Sequence, residues 1–85
     1  MEYTIDCAGI VDRKELHRLL AETLSFPHWY GHNLDALYDC LTAISTPTHL
    51  ILAHWDPPSL DFRIFEVVLN DAENDNPHFS VSFIR

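Results

Sequence analysis

Pro27-His28-Trp29-Tyr30-Gly31-His32-Asn33-Leu34-Asp35-Ala36-Leu37-Tyr38-Asp39-Cys40-Leu41-Thr42 passes from a proline-bounded aromatic loop into a short helix with a divided surface. At roughly 100° of turn per residue, Leu34, Leu37, Cys40, Leu41 and Ile44 share one arc, while Asp35, Asp39 and Thr42 share the opposite one. The helix has a dry side that must be packed and an acidic side that faces away. Pro27 and Gly31 keep the loop from being helical throughout, and Asn33 suits the N-cap of a helix beginning at Leu34 and ending near Ala43 or Ile44. Trp29, Tyr30 and His32 are left beside the helix entrance.

Toward the N-terminus, Leu16, Leu19, Leu20 and Leu24 recur at helical spacing. With Asp12 as cap and Glu15 three residues on, they predict a helix over 13–24 that Phe26 and Pro27 stop. His17 reads as a surface or half-buried residue of that helix. Tyr3, Ile5 and Cys7 alternate with Glu2, Thr4 and Asp6, a strand with one face more buried than the other. Toward the C-terminus, the turn Ser45-Thr46-Pro47-Thr48 delivers the chain to His49–Trp55. Its run Leu50–Ala53 does not alternate, which places this strand in the middle of a sheet covered on one or both sides. Asp56-Pro57-Pro58 suits a helix start. In a helix over about 58–73, Leu60, Ile64, Val67 and Val68 form one row, and Phe62, Phe65, Leu69 and Ala72 widen it. Asn74-Asp75-Asn76-Pro77 ends that helix. Phe79, Val81 and Phe83 then alternate with Ser80, Ser82 and Ile84, an edge strand.

The order strand, helix, helix, strand, helix, strand, with connections long enough for right-handed crossovers, predicts an α/β fold. Its core is a three-stranded parallel sheet in the order 1-2-3 packed with about three α-helices. At 85 residues, the chain is expected to form a single domain over 1–85. A hydrophobic content of 47% with two glycines argues against disorder. Thirteen Asp and Glu against five Lys and Arg give a formal charge of −8. Such a surface repels nucleic acid and anionic lipid and draws basic proteins quickly, although acidity also serves solubility alone. Cys7 and Cys40 both read as buried thiols. With no signal-like segment and no long apolar run, the expected compartment is the cytoplasm.

The segment Trp29–Thr42 resembles the signature segment of the barstar-like family, intracellular inhibitors of bacterial ribonucleases of the barnase type. The likeness is weaker through the first helix and looser toward the C-terminus. It implies the same three-stranded architecture, although the proline-rich stretch between Trp55 and Leu60 is too short for the extra helix the family carries there, so a turn or a single helical turn is expected. It also implies a function. The residue at Asp39 would reach into the phosphate site of a basic ribonuclease, Asp35 would add a second contact, and Trp29 would cover the enzyme's catalytic histidine. Thr42 would stand at the end of the same face and Asp71 at its edge.

Read by themselves, Asp35 and Asp39 are one turn apart with no cation at i±4. They suit a solvated surface, a metal or catalytic site, or a docking face. The aromatic flank of Trp29, Tyr30 and Tyr38 favours docking, because rings beside bare carboxylates exclude water and strengthen the charge. The expected partner-binding residues are Trp29, Tyr30, Asn33, Asp35, Tyr38, Asp39, Thr42, Ala43, Ile44 and Asp71. Asp71 falls by helical phase on the apolar arc of its helix, either projecting past the core or kept for a partner. Ala43 and Ile44 stand where the family has Gly and Trp, and Tyr38 where it has another Trp, which points to a cognate enzyme other than barnase.

No catalytic residues, metal or cofactor are expected. Pro27 and Gly31 keep His28 and His32 off a common helix face, and no recognised ligand spacing links the other histidines. The expectation is a non-enzymatic inhibitor, monomeric when free and 1:1 with a basic, extracellular or delivered ribonuclease, with no direct nucleic-acid or membrane binding. The alternative is an acidic regulatory module of the same fold with a non-nuclease partner.

Overall fold

Alternation in the two outer strands and an apolar run in the middle one make a sheet with a single dry face. The computed structural model of the chain describes residues 1–56 and 60–85. Strand β1 (Glu2–Asp6) is followed by helix α1 (Arg13–Leu24), helix α2 (Leu34–Thr42), strand β2 (Thr48–Ala53), helix α3 (Leu60–Asp75) and strand β3 (Phe79–Phe83). The strands are parallel in the order β1-β2-β3. The expected start of the third helix at Pro57-Pro58, and the turn between Trp55 and Leu60, lie outside the described residues.

Register places Tyr3 beside Leu50 beside Val81, and Ile5 beside Leu52 beside Phe83, on the face the helices cover. The other face carries Glu2, His49 and Ser80, then Thr4, Ile51 and Ser82, none of them buried. The middle strand is therefore covered on one side. On the open side His49 contacts Ser82 Oγ at 2.8 Å and Glu2 at 3.3 Å, so its outward row is held by polar contacts across the sheet.

The helix ends follow local chemistry. Asp12 accepts from Lys14 N–H at 2.9 Å, while Glu15 pairs with Arg18 instead of closing a capping box. Ser25 takes a left-handed conformation (φ 56°), and Phe26 N–H reaches back to Ala21 O at 3.0 Å, so α1 ends in a 6→1 closure before Pro27. Asn33 caps α2 by accepting from Ala36 N–H at 2.8 Å. A Cβ at Gly31 would stand 2.9 Å from the Asn33 amide nitrogen, so glycine there leaves room for the cap.

Leu16, Leu20, Leu37, Leu41, Leu50, Leu52, Phe65 and Leu69 are all buried in one core. Two sequence expectations are corrected by it. In α3 the inward row is Phe62, Phe65, Leu69 and Ala72, ending at Asn76, while Leu60, Ile64 and Val67 are exposed. A row carrying two phenylalanines removes more apolar area from water than one of isoleucine and valine, and only one can face the sheet. Asp71 is consequently exposed, not on the buried arc. His17 is buried at 5% exposure, beside Leu16 and Leu20. Cys7 and Cys40 are free buried thiols, and burial pushes the Cys7 thiol up to about 11.

Candidate functional site

The loop that enters α2 is pinned from within. Tyr30, expected on the docking face, is instead 6% exposed, tilted against Phe26 at 5.0 Å, with its hydroxyl 2.5 Å from His17 Nδ1. The ring supplies apolar area to the core and finds a polar partner for its hydroxyl there, so burial is the more stable arrangement. His32 turns the chain with φ 53° and lies parallel to the His17 ring at 6.1 Å. This anchoring leaves the neighbouring Trp29 63% exposed.

Burial depresses the His17 pKa to about 4, below its ordinary 6.5, and the nearby His32 and Arg13 charges add to the effect. An unfolded chain therefore binds a proton on this ring before the folded one does. Stability is highest above pH 6.5 and falls as pH drops toward about 4, then levels as far as this group is concerned. The full loss is on the order of 3 kcal/mol at about 1.4 kcal/mol per unit. Urea midpoints measured across that range check it: the slope should flatten in His17→Gln, and an equally steep slope in that variant refutes the assignment to His17.

From this anchored loop, α2 runs with Asp35 and Asp39 exposed on its outer side. Among the described residues neither carboxylate forms an ion pair, since the close pairs are Arg18 with Glu15 and Glu22, His49 with Glu2, and His54 with Asp6. Thr42 is half-buried and donates its hydroxyl to Tyr38 O at 2.9 Å. Tyr38 is half-buried too, and its hydroxyl donates to Asp75 on α3. That bond, with the charges of Asp75, Asp71 and Asp39 nearby, raises the phenol above its ordinary value. Asp71 and Asp75, one turn apart on α3, thus stand near the same phenol as Asp39 and extend the acidic face beyond α2. Asp75 and His17 were missed from the sequence, although the i, i+4 spacing of Asp71 and Asp75 repeats that of Asp35 and Asp39.

At the other side of the face, Trp29, Asp39, Cys40, Ala43 and Ile44 line a groove of about 240 Å³ with Phe26. Ala43 is exposed and Ile44 half-buried against the core. The structure therefore brings Trp29 and Asp39 together as expected, with Asn33 at the helix entrance. The arrangement offers carboxylate oxygens beside an exposed indole and an apolar groove, chemistry suited to a cationic surface. Among the described residues no cluster of three or more His, Cys, Asp or Glu side chains is placed to hold a metal. Among the described residues no helix is long and apolar enough to cross a membrane.

Two comparisons bear on this geometry. A Bacillus subtilis (strain 168) protein named "Putative ribonuclease inhibitor YrdF" is 48% identical over 53 residues, 61% of this chain and 58% of that relative. The match thus covers less than two-thirds of the relative's length. The family model described as "Barstar (barnase inhibitor)" matches residues 1–83. With a match over nearly the whole chain and the parallel 1-2-3 sheet beneath it, this chain belongs to the barstar family.

Proposed function

We propose that the protein is an inhibitor that blocks the active-site groove of a basic microbial ribonuclease of the guanyl-preferring type with the acidic face of α2. The observation that carries this reading is the pair Asp35 and Asp39, exposed and without an ion pair among the described residues, beside the exposed Trp29. An enzyme that binds RNA must present arginine, lysine and histidine to phosphate. A carboxylate held on a helix takes the phosphate's place and accepts the same hydrogen bonds. Asp39 is assigned the phosphate site, Asp35 a neighbouring cation, and Trp29 an apolar cover. Asn33, Tyr38, Thr42, Ala43, Ile44 and Asp71 complete the footprint. Tyr30 acts through the loop it anchors. The complex is 1:1, and the inhibitor works in the cytoplasm as an immunity protein against a secreted or delivered enzyme.

A panel of small guanyl-preferring ribonucleases, assayed for RNA cleavage with stoichiometric amounts of this protein, tests the proposal. Titration of one enzyme to zero activity at a 1:1 ratio supports it. Full activity of every enzyme at excess inhibitor refutes it and favours an acidic module with a non-nuclease partner, to which the small Ala43 and aliphatic Ile44 at the helix end lend support. With a net charge of −8 meeting a basic surface, association should slow steeply between low and physiological salt. Stopped-flow association rates check this, and rates indifferent to salt remove electrostatic steering from the mechanism.

A further inference from the structure

Between the first turns of α1 and α2 and the side of α3 lies a cavity of about 420 Å³, within the range of small-molecule sites. Its wall is apolar, formed by Leu34, Ile64 and Phe65. Its mouth carries Arg13 and Lys14, both exposed. Arg18, on the same helix, is held by Glu15 and Glu22, whereas Arg13 and Lys14, like Arg63 and Arg85, form no ion pair among the described residues, and of these four only Arg13 and Lys14 border the cavity.

His17 also lines this cavity, although it is only 5% exposed. The buried Tyr30 hydroxyl lies 2.5 Å from His17 Nδ1 and has no other partner among the described residues, so the phenolic proton is assigned to that bond with Nδ1 as acceptor. A neutral ring that accepts at Nδ1 carries its own proton on Nε2. Nε2 has no protein partner among the described residues, yet no sealed side-chain nitrogen or oxygen there lacks one. The Nε2–H therefore meets open space, and the cavity that His17 lines supplies it. The first turns of both α1 and α2 border the cavity, so the positive ends of two helices add to the same field. Asp35 stands on the rim with the opposite sign, placed to accept from a hydroxyl group.

We propose that this cavity binds a phosphate group, either free or esterified to a flat ring body such as a nucleoside. Arg13 and Lys14 hold the phosphate oxygens and the His17 Nε2–H donates to one of them. In the ester, the ring lies on Leu34, Ile64 and Phe65 and a sugar hydroxyl donates to Asp35. The site does not rest on the ribonuclease reading, although Asp35 belongs to both.

The test is NMR of the imidazole resonances of His17 and His32 in the full chain at neutral pH, titrated with inorganic phosphate and, separately, with adenosine 5′-monophosphate. Saturable shifts of both rings are expected, with the midpoint weakened at least about tenfold in the Arg13→Ala, Lys14→Ala double variant. Both positions are exposed, so the double variant folds, which circular dichroism verifies. Tighter binding of the nucleotide than of phosphate identifies the ester as ligand, and equal binding identifies free phosphate. Absence of saturable shifts with both probes overturns the proposal. So does an unchanged midpoint in the double variant, or an equal loss in Arg63→Ala, which marks unspecific charge attraction.

Discussion

Asp39→Ala is expected to weaken the proposed complex with a ribonuclease by about 2 to 5 kcal/mol, with nearly all of the loss in the dissociation rate. In the free protein the Asp39 carboxylate is exposed and forms no ion pair among the described residues, so it enters a complex with its full hydrogen-bonding capacity. In the proposed groove it is desolvated against fixed cations, and its removal leaves those cations buried and unpaired, which is the larger part of the cost. Association, governed by the summed charge of the face, changes little because Asp35, Asp71 and Asp75 remain. The free protein moves the other way. Asp35 and Asp39 are like charges one turn apart, so the variant should be as stable as the parent or slightly more so. Stopped-flow association and dissociation rates, together with urea unfolding of the free protein, check the pair of results. An unchanged dissociation rate argues against Asp39 at the centre of the contact, and a large loss of folding stability assigns it to the scaffold instead.

The second large effect concerns the residue that fastens α2 in place. Asn76, 4% exposed, donates from its side-chain amide to Leu41 O and to Ile44 O, each at 2.9 Å, and accepts from His78 N–H at 3.0 Å. These bonds satisfy Ile44 O, add a second donor to Leu41 O, which also accepts from Ile44 N–H at 3.3 Å, and tie the end of α2 to the turn between α3 and β3. Asn76→Ala deprives Ile44 O and His78 N–H of their partner, and leaves Leu41 O with the longer bond from Ile44 N–H, in a mostly dry setting. It should cost about 4 kcal/mol of folding stability, near the upper end for single substitutions. Urea unfolding measures the loss, and amide exchange should show the last turn of α2 opening first. A loss within about 0.5 kcal/mol, typical of a surface change, would show that water replaces the amide without penalty. Because the same turn carries Thr42, Ala43 and Ile44 of the proposed footprint, the variant should also bind the proposed ribonuclease partner more weakly than its residual folded fraction accounts for.

Much of this was legible in the residues. Asn33 as cap, the opposed arcs of α2, the helix over 13–24 and the alternation of the terminal strands depend on neighbours a few positions apart. The parallel order β1-β2-β3 followed from the element sequence and the crossover rule. The proximity of Trp29 and Asp39 came through the family resemblance and the aromatic flank, since no periodicity links a loop residue to a helix face. Tyr30 went the other way. Its ring looked like a companion to Trp29, but its hydroxyl had a partner thirteen residues upstream, in His17, that no local pattern announces.

Which elements form, in what order, and that α2 carries Asp35 and Asp39 on one side with no cation at i±4 are legible in the residues alone, because backbone phase and capping are local physics; that no other element pairs with those carboxylates among the described residues is a matter of tertiary packing. Packing between elements selects which of two apolar rows of α3 turns inward, and with it the outward position of Asp71. It also decides that His17 and Tyr30 bond inside, that Tyr38 reaches Asp75, and that Asn76 holds the end of α2. Each is a choice between surfaces competing for the same core, settled by the apolar area each removes from water and by whether its buried polar atoms find partners on another element.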